Sequence, residues 1–310
     1  MPTPLDGLAE PFVPIEPNAA RSALAGLWGI DTGELIRLDT ERDDTFRAGE
    51  VILKIAHPND TPALIDMQTA AMRHAHQADP GIPLQRVVST LGGEASALVD
   101  GRIARVLTWL DGELMLDSPT SPALLEDAGR MLGRLGNALA GFRHPGAERD
   151  LAWDLPRLPD LREHATDPLH LEVIDRFAAE VSPVLAGLPH QVIHNDGHPG
   201  NLLADGDRLA GILDFGDAVY SARVADLAVA LTYLVPDSPR PWPDVDRFTA
   251  AYADETGLTD AELAVLPMLI AARTIMRSVI NQTLQRDARA DPHGFYARND
   301  RKLLMILEET

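Results

Sequence analysis

The sequence contains no cysteine, and this absence excludes several chemistries at once. The 310-residue chain can form neither a disulfide nor a thiolate metal site, and it has no cysteine nucleophile. Basic side chains are also scarce, since 27 Lys and Arg stand against 47 Asp and Glu, for a net charge of −20. Nucleic acids and anionic membranes bind to basic surfaces, so we expect neither as a partner.

Long apolar runs are missing as well. No uninterrupted apolar stretch reaches the roughly 18 residues that span a bilayer, and the N-terminus lacks the basic-then-apolar order of a signal peptide. We therefore expect a cytoplasmic protein. With 45% hydrophobic residues, the chain can bury a sizeable core, either as one large domain or as two lobes that share an interface.

The hydrophobic pattern changes near residue 110. Before it, short apolar runs typical of strands are interrupted by one helix, which Asp60 or Thr61 can cap and Pro62 can begin. The predicted strands cover 33–38, 51–56, 85–89 and 103–110. After it, helical periodicity covers 122–142, 168–186, 221–235, 244–255 and 259 to about 285. We predict an α+β fold with two lobes, a small antiparallel sheet and one helix in 1–110 and a mainly helical lobe in 111–310.

The helical part is interrupted by a stretch with many reactive side chains. HNDGHPGN, at 194–201, follows an apolar pair and places Asp196 five residues before Asn201. The sequence DFG, at 214–216, follows thirteen residues after Asn201, beyond two strand-like runs that meet at the turn pair Asp205-Gly206. This order of H-x-D-x-x-x-x-N, hairpin and D-F-G is the order found in kinase catalytic loops.

Phosphoryl transfer explains why these residue types are needed at this spacing. The reaction needs one carboxylate at the attacking hydroxyl, with an amide and a second carboxylate on magnesium. Asp196, Asn201 and Asp214 are the residues of those types. A strand lysine that neutralises the nucleotide phosphates would complete the set, and Lys54 in VILKIA is the candidate.

With these motifs the chain resembles the aminoglycoside phosphotransferase and small-molecule kinase superfamily, most closely its hydroxylysine-kinase-like branch. The resemblance runs from about residue 25 to the end. It is supported by the strings ERDDTF (41–46), VILKIAHP (51–58), LTWLDG (107–112), AWDL (152–155) and GILDFGD (211–217). It implies a protein-kinase-like fold and a kinase that uses ATP and Mg²⁺ to phosphorylate a small molecule.

The resemblance also implies roles for single residues. Asp196 would be the catalytic base, Asn201 and Asp214 the magnesium ligands, and Lys54 the phosphate-binding lysine. Asp226, in ADLA, would brace the catalytic loop. The adenine-binding hinge would consist of Leu107, Thr108, Trp109 and Leu110.

The sequence departs from the family pattern at the first lobe. Thr45 stands where the branch usually has asparagine, and Gln68 stands where a glutamate often pairs with the lysine. Glutamine can accept a hydrogen bond but cannot neutralise Lys54, so we expect the lysine to depend on Asp214 or on the nucleotide. No G-x-G-x-x-G loop is present, and we expect the hairpin at 40–49 to take its place.

Other classes of function fit the sequence less well. His194 and His198 have a spacing that binds zinc on a helix, but Pro199 and Gly200 place them in a loop, where His194 is better suited to packing and bracing. A nucleotide-binding pseudokinase scaffold would usually have lost the base or a metal ligand. A protein kinase would need an activation segment and an A-P-E anchor, and the chain passes from DFGD almost directly into a helix.

The charge balance and the resemblance together favour a cationic alcohol as substrate. An excess of carboxylates attracts an ammonium group over a long range. We expect hydroxylysine or a related amino alcohol, with an aminoglycoside, homoserine, choline or ethanolamine as alternatives. Arg273 and Arg277 lie four residues apart on the last predicted helix, and the pattern predicts a solvated face from which one of them could reach a substrate carboxylate.

Overall fold

A six-stranded antiparallel sheet forms the first part of the computed structural model, which describes residues 13–40, 42–117, 120–234 and 241–284. Its strands are β1 (Ile36–Leu38), β2 (Asp44–Ala48), β3 (Val51–Ile55), β4 (Val87–Val88), β5 (Ala97–Val99) and β6 (Arg102–Thr108). The order is β1-β2-β3-β6-β4, and β5 pairs with β6. The four predicted strands are present, and β2 and β5 were not predicted.

The two faces of this sheet carry different side chains. Leu53 and Ile55 of β3 are buried in one apolar cluster with Trp28 of helix α1 (Pro17–Trp28). Lys54 lies between them in sequence, so its side chain projects from the opposite face. One face therefore forms a core with α1, and the other carries the candidate phosphate-binding lysine.

Two helices pack near the sheet. The predicted helix is α2 (Pro62–Ala78), and the Thr61 side chain caps it by accepting a hydrogen bond from the Leu64 N–H at 3.2 Å. Helix α1 was not predicted. It begins at a proline and ends at Gly29, whose φ of 67° lies in the left-handed region that favours glycine.

The second part consists mainly of helices. They are α3 (Pro122–Ala138), α4 (Pro168–Arg176), α5 (Ser182–Leu185), α6 (Val224–Leu234), α7 (Pro241–Thr256) and α8 (Asp260–Thr283). Helix α7 begins three residues earlier than predicted. The predicted proline-rich loop falls mostly on 235–240, outside the described residues, and so does the chain after 284. The predicted helix at 168–186 is interrupted at Phe177–Val181, which forms a wider turn of π type.

Short strands hold the loops of the second part together. They are β7 (Glu113–Leu114), β8 (His190–Ile193), β9 (Leu202–Asp205), β10 (Arg208–Ile212) and β11 (Val219–Ala222). Strands β9 and β10 form the predicted hairpin, in which Asp205 pairs with Arg208 and Gly206 has a φ of 59°. Strand β7 pairs with β9, so the chain joins the second part just after β6 ends. This pairing supports the lobe boundary that we propose at 110/111.

Helix α8 lies inside the second part. Its length and composition would allow it to cross a bilayer, but 83% of its most apolar 18-residue window is buried within the protein, as in a core helix. Arg273 and Arg277 are buried too, with exposed fractions of 1% and 8%. The expectation of a solvated face was therefore wrong. The helical spacing was correct, but the guanidinium groups contact Trp153 and Tyr233 instead of water.

Candidate active site

The loop between β8 and β9 is held from both sides. Asn195 has a left-handed φ of 63°, and its backbone N–H donates to Asp226 Oδ1 of α6 at 2.7 Å. The imidazole of His194 is fully buried; its Nδ1 accepts from the Asp196 N–H at 3.3 Å, and its Nε2 donates to the Leu213 carbonyl at 2.9 Å. His194 and Asp226 therefore both hydrogen-bond to the backbone of this loop.

Asp196 and Asn201 are brought into direct contact. The Asn201 amide nitrogen donates to Asp196 Oδ2 at 2.7 Å and to the Asp196 carbonyl at 3.1 Å. The Leu213 N–H donates to the Asn201 carbonyl at 2.8 Å, which places the DFG segment beside the loop. The spacing in the sequence thus becomes a single cluster of a carboxylate, an amide and a second carboxylate.

Asp214 connects this cluster to the first part of the chain. Its Oδ1 accepts from the Gly216 N–H at 2.8 Å, and its Oδ2 accepts from Lys54 Nζ at 2.9 Å. Burial opposes ionisation of this carboxyl, but the charge and hydrogen bond of Lys54 outweigh it and hold its pKa well below the ordinary range. Asp214 is therefore ionised at any working pH.

Lys54 has two carboxylate partners. Asp43 Oδ2 lies 3.1 Å from Nζ, in addition to Asp214. Burial lowers the pKa of the ammonium group, but these two carboxylates outweigh burial and raise it. Gln68 is buried on α2, and its Oε1 has no hydrogen-bond partner among the described residues. The described charge partners of Lys54 are thus Asp214, as expected, and Asp43, which the sequence analysis missed.

The segment expected to replace a glycine-rich loop has a different layout. The chain turns between β2 and β3 at Gly49, and residues 39–43 connect β1 to β2 and contribute Asp43. Glu41 lies outside the described residues. Thr45, on β2, pairs with Lys54 in the sheet register. The only signal for Asp43 in the sequence was its place as the first of the two aspartates in the ERDDTF string.

The predicted hinge begins in the last two residues of β6 and continues just beyond the strand. Leu107 is buried in the core. Both backbone groups of Thr108 are used within the protein, its N–H by a carbonyl at 2.9 Å and its carbonyl by Gln85 Nε2 at 3.1 Å. Trp109 and Leu110 are half-buried just beyond the strand. The Thr108 backbone is therefore already hydrogen-bonded within the protein, and Trp109 and Leu110 are partly exposed beyond the strand.

Three further charged side chains, Arg273, Asp217 and Arg149, belong to the region around Asp196. Arg273 Nη2 lies 3.8 Å from Asp196 Oδ1, and its Nη1 donates to the Trp153 carbonyl. Asp217, directly after DFG, lies 3.7 Å from Arg149. Sequence analysis did not single out Asp217 or Arg149, although the quoted string GILDFGD contains the former.

The carboxyl groups of Asp196 and Asp217 both have raised pKa values. Burial raises the pKa of Asp196 to about 6, against the opposing charge of Arg273. Burial and repulsion from Asp196 also raise the pKa of Asp217 to about 6. The two side chains keep exposed fractions of 23% and 28%, so a bound molecule can reach them. The arrangement favours a cation near the pair.

The donors present fit a magnesium ion better than zinc. The Asn201 amide nitrogen makes both hydrogen bonds to Asp196. The Oδ1 atom of Asn201 therefore remains as an oxygen ligand, and the exposed Asp214 carboxylate can supply a second one. Mg²⁺ prefers such hard oxygens, with phosphates and water completing the shell. The Nδ1 atoms of His194 and His198 instead accept backbone N–H groups. Over the described ranges, no group of three His, Cys, Asp or Glu side chains could hold a metal alone.

The chain is similar to known kinases in sequence and in structure. A hydroxylysine kinase from Danio rerio is 27% identical over 293 residues, covering 83% of this chain and 82% of that protein. A homoserine kinase from Methylobacillus glycogenes is 28% identical over 259 residues, 79% of each chain. An amicoumacin kinase, solved with AMP-PNP and Ca²⁺, superposes with a TM-score of 0.72 at 18% identity, covering 96% of this chain and 94% of that one.

These similarities confirm the predicted two-lobed α+β fold and the predicted small-molecule kinase. The family model described as the phosphotransferase enzyme family matches residues 34–265, which is most of the chain. The chain therefore belongs to the phosphotransferase enzyme family.

Proposed function

We propose that this protein uses ATP and Mg²⁺ to phosphorylate a hydroxyl group of a small amine-bearing molecule, with 5-hydroxylysine or a related amino alcohol as the favoured acceptor. The observation that carries the proposal is the Lys54–Asp214 contact at 2.9 Å beside the Asp196–Asn201 contact at 2.7 Å. These four side chains supply the cation, the two metal ligands and the base that phosphoryl transfer needs.

The nucleotide would lie between the hinge and Lys54. Adenine would dock against Trp109 and Leu110, and the phosphates would extend toward Lys54 on the polar face of the sheet. A nucleotide complex of the amicoumacin kinase, which has the same fold, supports this choice of phosphoryl donor. A kinase that draws on ATP would work in the cytoplasm, and we propose that location.

Asn201 and Asp214 would hold the magnesium ion. Bound there, Mg²⁺ would neutralise charge on the β- and γ-phosphates. Asp214 is suited to this task because its pKa is depressed and its carboxylate stays charged. Asn201 also orients Asp196 through its amide nitrogen, so one residue would connect the metal site to the base.

Asp196 would accept the proton of the attacking hydroxyl. The acceptor oxygen forms a bond to the γ-phosphorus as the bond from that phosphorus to the β,γ-bridging oxygen breaks. ADP leaves with the electron pair of the broken bond, and the hydroxyl proton moves to an Asp196 oxygen. Arg273 would position the base, since its guanidinium is buried and 3.8 Å from the carboxylate.

The acceptor side favours an ammonium group. Asp196 and Asp217 repel one another, and burial is the largest cause of the raised pKa of each carboxyl group. An ammonium group between them would relieve the repulsion and keep Asp196 ionised as a base. We therefore assign Asp217 to the amine of the acceptor.

A hydroxy amino acid also needs a partner for its carboxylate. Arg273 is too deeply buried to be that partner, with 1% exposure. Arg277 lies 4.0 Å above the Tyr233 ring, and that ring lies 5.0 Å from the ring of His198, beside the base. We propose Arg277 for this role. The similarity to hydroxylysine and homoserine kinases supports a hydroxy amino acid over an aminoglycoside or choline.

Steady-state kinetics would test the proposal. Hydroxylysine, ethanolamine, choline, homoserine, kanamycin and a neutral sugar are compared as acceptors with ATP and Mg²⁺ at low and high salt, with Asp217→Asn as the test variant. An amine-bearing acceptor should have the highest kcat/KM, which should fall as salt screens the charges. Asp217→Asn should raise the KM of amines. Preference for a neutral sugar, or no salt effect, would contradict the assignment of the acceptor.

A nucleotide-binding pseudokinase is the alternative from another class. It would bind Mg-ATP and transfer no phosphate to any acceptor. The presence of Asp196, Asn201 and Asp214 speaks against it, because a pseudokinase would usually have lost the base or a metal ligand. The Asp196–Asn201 contact, next to the DFG segment, supports a catalytic site. Phosphorylated product from any acceptor of the panel would exclude this alternative.

A further inference from the structure

We propose that Arg105 is a second cation of the nucleotide site and binds the phosphate chain beside Lys54. The inference rests on the proposed function, since it takes the polar face of the sheet as the phosphate-binding face. Arg105 lies on β6, and the antiparallel register places it directly opposite Lys54 of β3. Directly opposed residues of adjacent strands project from the same face. The two cations are therefore neighbours on that face.

Arg105 is buried, and one of its guanidinium nitrogens has no hydrogen-bond partner in the part of the chain that the structure describes. The residue is 4% exposed, and the nitrogen is Nη1. Buried polar groups normally have partners, and a buried charge without one is costly. An unpaired, buried guanidinium nitrogen next to Lys54 therefore points to an anionic ligand.

A second arginine on the same strand provides the contrast. Arg102 is also buried, but three of its nitrogens are satisfied within the first part of the chain, by the Ala56 carbonyl at 2.7 Å, Asp44 Oδ2 at 2.8 Å and the Ile55 carbonyl at 3.1 Å. Arg102 is three residues from Arg105, so it projects from the other face. Burial of an arginine in this strand is thus compatible with full pairing, and Arg105 differs in lacking it.

The charges around Arg105 favour the binding of an anion. Repulsion from Arg105 acts on Lys54, and attraction from Arg105 acts on Asp214. Both oxygens of Asp214 accept hydrogen bonds from other groups, and the nearby Asp43 pairs with Lys54. The helix position that could supply a further carboxylate is the neutral Gln68. If Asp214 held a metal ion, Lys54 and Arg105 would share the single carboxylate of Asp43, and a phosphate would balance their charge.

Arginine is suited to this position by its shape as well as its charge. Its planar fork can bind two phosphate oxygens at once, whereas lysine acts as a point charge. Together, Lys54 and Arg105 would select nucleotides that carry a phosphate chain. If Arg105 only filled space in the sheet, an uncharged side chain of similar volume would serve equally well.

Nucleotide titrations on the folded protein would test this inference. Arg105→Met keeps the volume and removes the charge, Arg105→Lys keeps the charge and removes the fork, and Arg73→Gln removes a charge from an exposed position of α2 as the control. Binding of AMP-PNP with Mg²⁺ and binding of adenosine are measured by calorimetry. Since hydrogen bonds to charged groups are the stronger kind, Arg105→Met should weaken AMP-PNP about tenfold or more. Adenosine affinity should not change.

The outcomes separate this inference from the proposed function. Arg105→Lys should fall between the unaltered protein and Arg105→Met, and it provides the test if the methionine variant fails to fold. Unchanged AMP-PNP affinity in these variants would overturn the role of Arg105 alone. Equal losses for AMP-PNP and adenosine would overturn it in favour of a structural role. If the unaltered protein did not bind AMP-PNP, the proposed function would fail and the inference with it.

Discussion

Replacement of Asp196 by asparagine should nearly abolish turnover while nucleotide binding is retained. The change keeps the shape of the side chain and removes the proton acceptor. Loss of a general base typically costs a factor of about 10² to 10⁴, which corresponds to about 3 to 5 kcal/mol of transition-state stabilisation. The Lys54–Asp214 contact does not involve this side chain, so the affinity for AMP-PNP should stay near that of the unaltered protein.

The raised pKa of Asp196 adds a prediction about pH. The base works only when it is ionised, and its pKa of about 6 means that kcat/KM should fall about tenfold per pH unit below that value. Asp196 and Asp217 interact, so the acid limb reports the titration of the pair. Asp217→Asn removes the repulsion and should move the acid limb to lower pH, because Asp196 then loses its proton more easily.

The assay is steady-state kinetics between pH 5 and 9 with the best acceptor, combined with AMP-PNP titration. Asp205→Asn, at the exposed hairpin turn, removes the same charge and serves as the control, with activity unchanged. Retention of more than about a tenth of the turnover by Asp196→Asn would refute its role as base. An acid limb that stays in place in Asp217→Asn would refute the coupling.

Three further predictions concern the metal, the loop and the core. Asp214→Ala should lose activity and bind Mg-nucleotide more weakly. A chelator should inactivate the unaltered protein until Mg²⁺ is restored. Unchanged Mg-nucleotide affinity in Asp214→Ala would show that other residues bind the metal. Asp226→Ala should lower the free energy of unfolding by about 1–3 kcal/mol, because it leaves the Asn195 N–H unpaired. In denaturant unfolding, Asp226→Asn should retain most of the stability of the unaltered protein. Equal losses in the two variants would exclude the hydrogen bond as the cause. Gly129→Ala should cost about 1–3 kcal/mol, because its Cβ would lie 2.6 Å from the Phe248 carbonyl oxygen; an unchanged melting temperature would show that α3 and α7 can separate.

The closeness of the 194–201 loop and the DFG segment in the fold could be predicted because the two lie near each other in the sequence. Asp196, Asn201 and Asp214 lie within one loop and one hairpin, so a fixed number of residues determines which of them can meet. The contact of Lys54 with Asp214 bridges 160 residues and followed only from the resemblance to known kinases. The large helices were predicted for a similar reason, since their periodicity is visible in short windows.

The features that were missed depend on the tertiary fold. Asp43 and Arg105 reach the site only because β2, β3 and β6 pair side by side in the sheet, and no local pattern shows this register. The burial of Arg273 was missed because a charged residue on a helix is usually solvated. Here α8 passes through the core, and the carbonyl of Trp153 replaces water.

Transfer of isotopically labelled γ-phosphate from ATP tests the central claim most directly. The unaltered protein and Asp214→Ala are each incubated with ATP, Mg²⁺ and 5-hydroxylysine, and the product is identified by phosphorus NMR and mass spectrometry. The account predicts that the label appears in a phosphate ester on the hydroxyl of the acceptor, with the unaltered protein only. Hydrolysis of ATP to free phosphate without any ester, on this acceptor or the other amines of the panel, would contradict it.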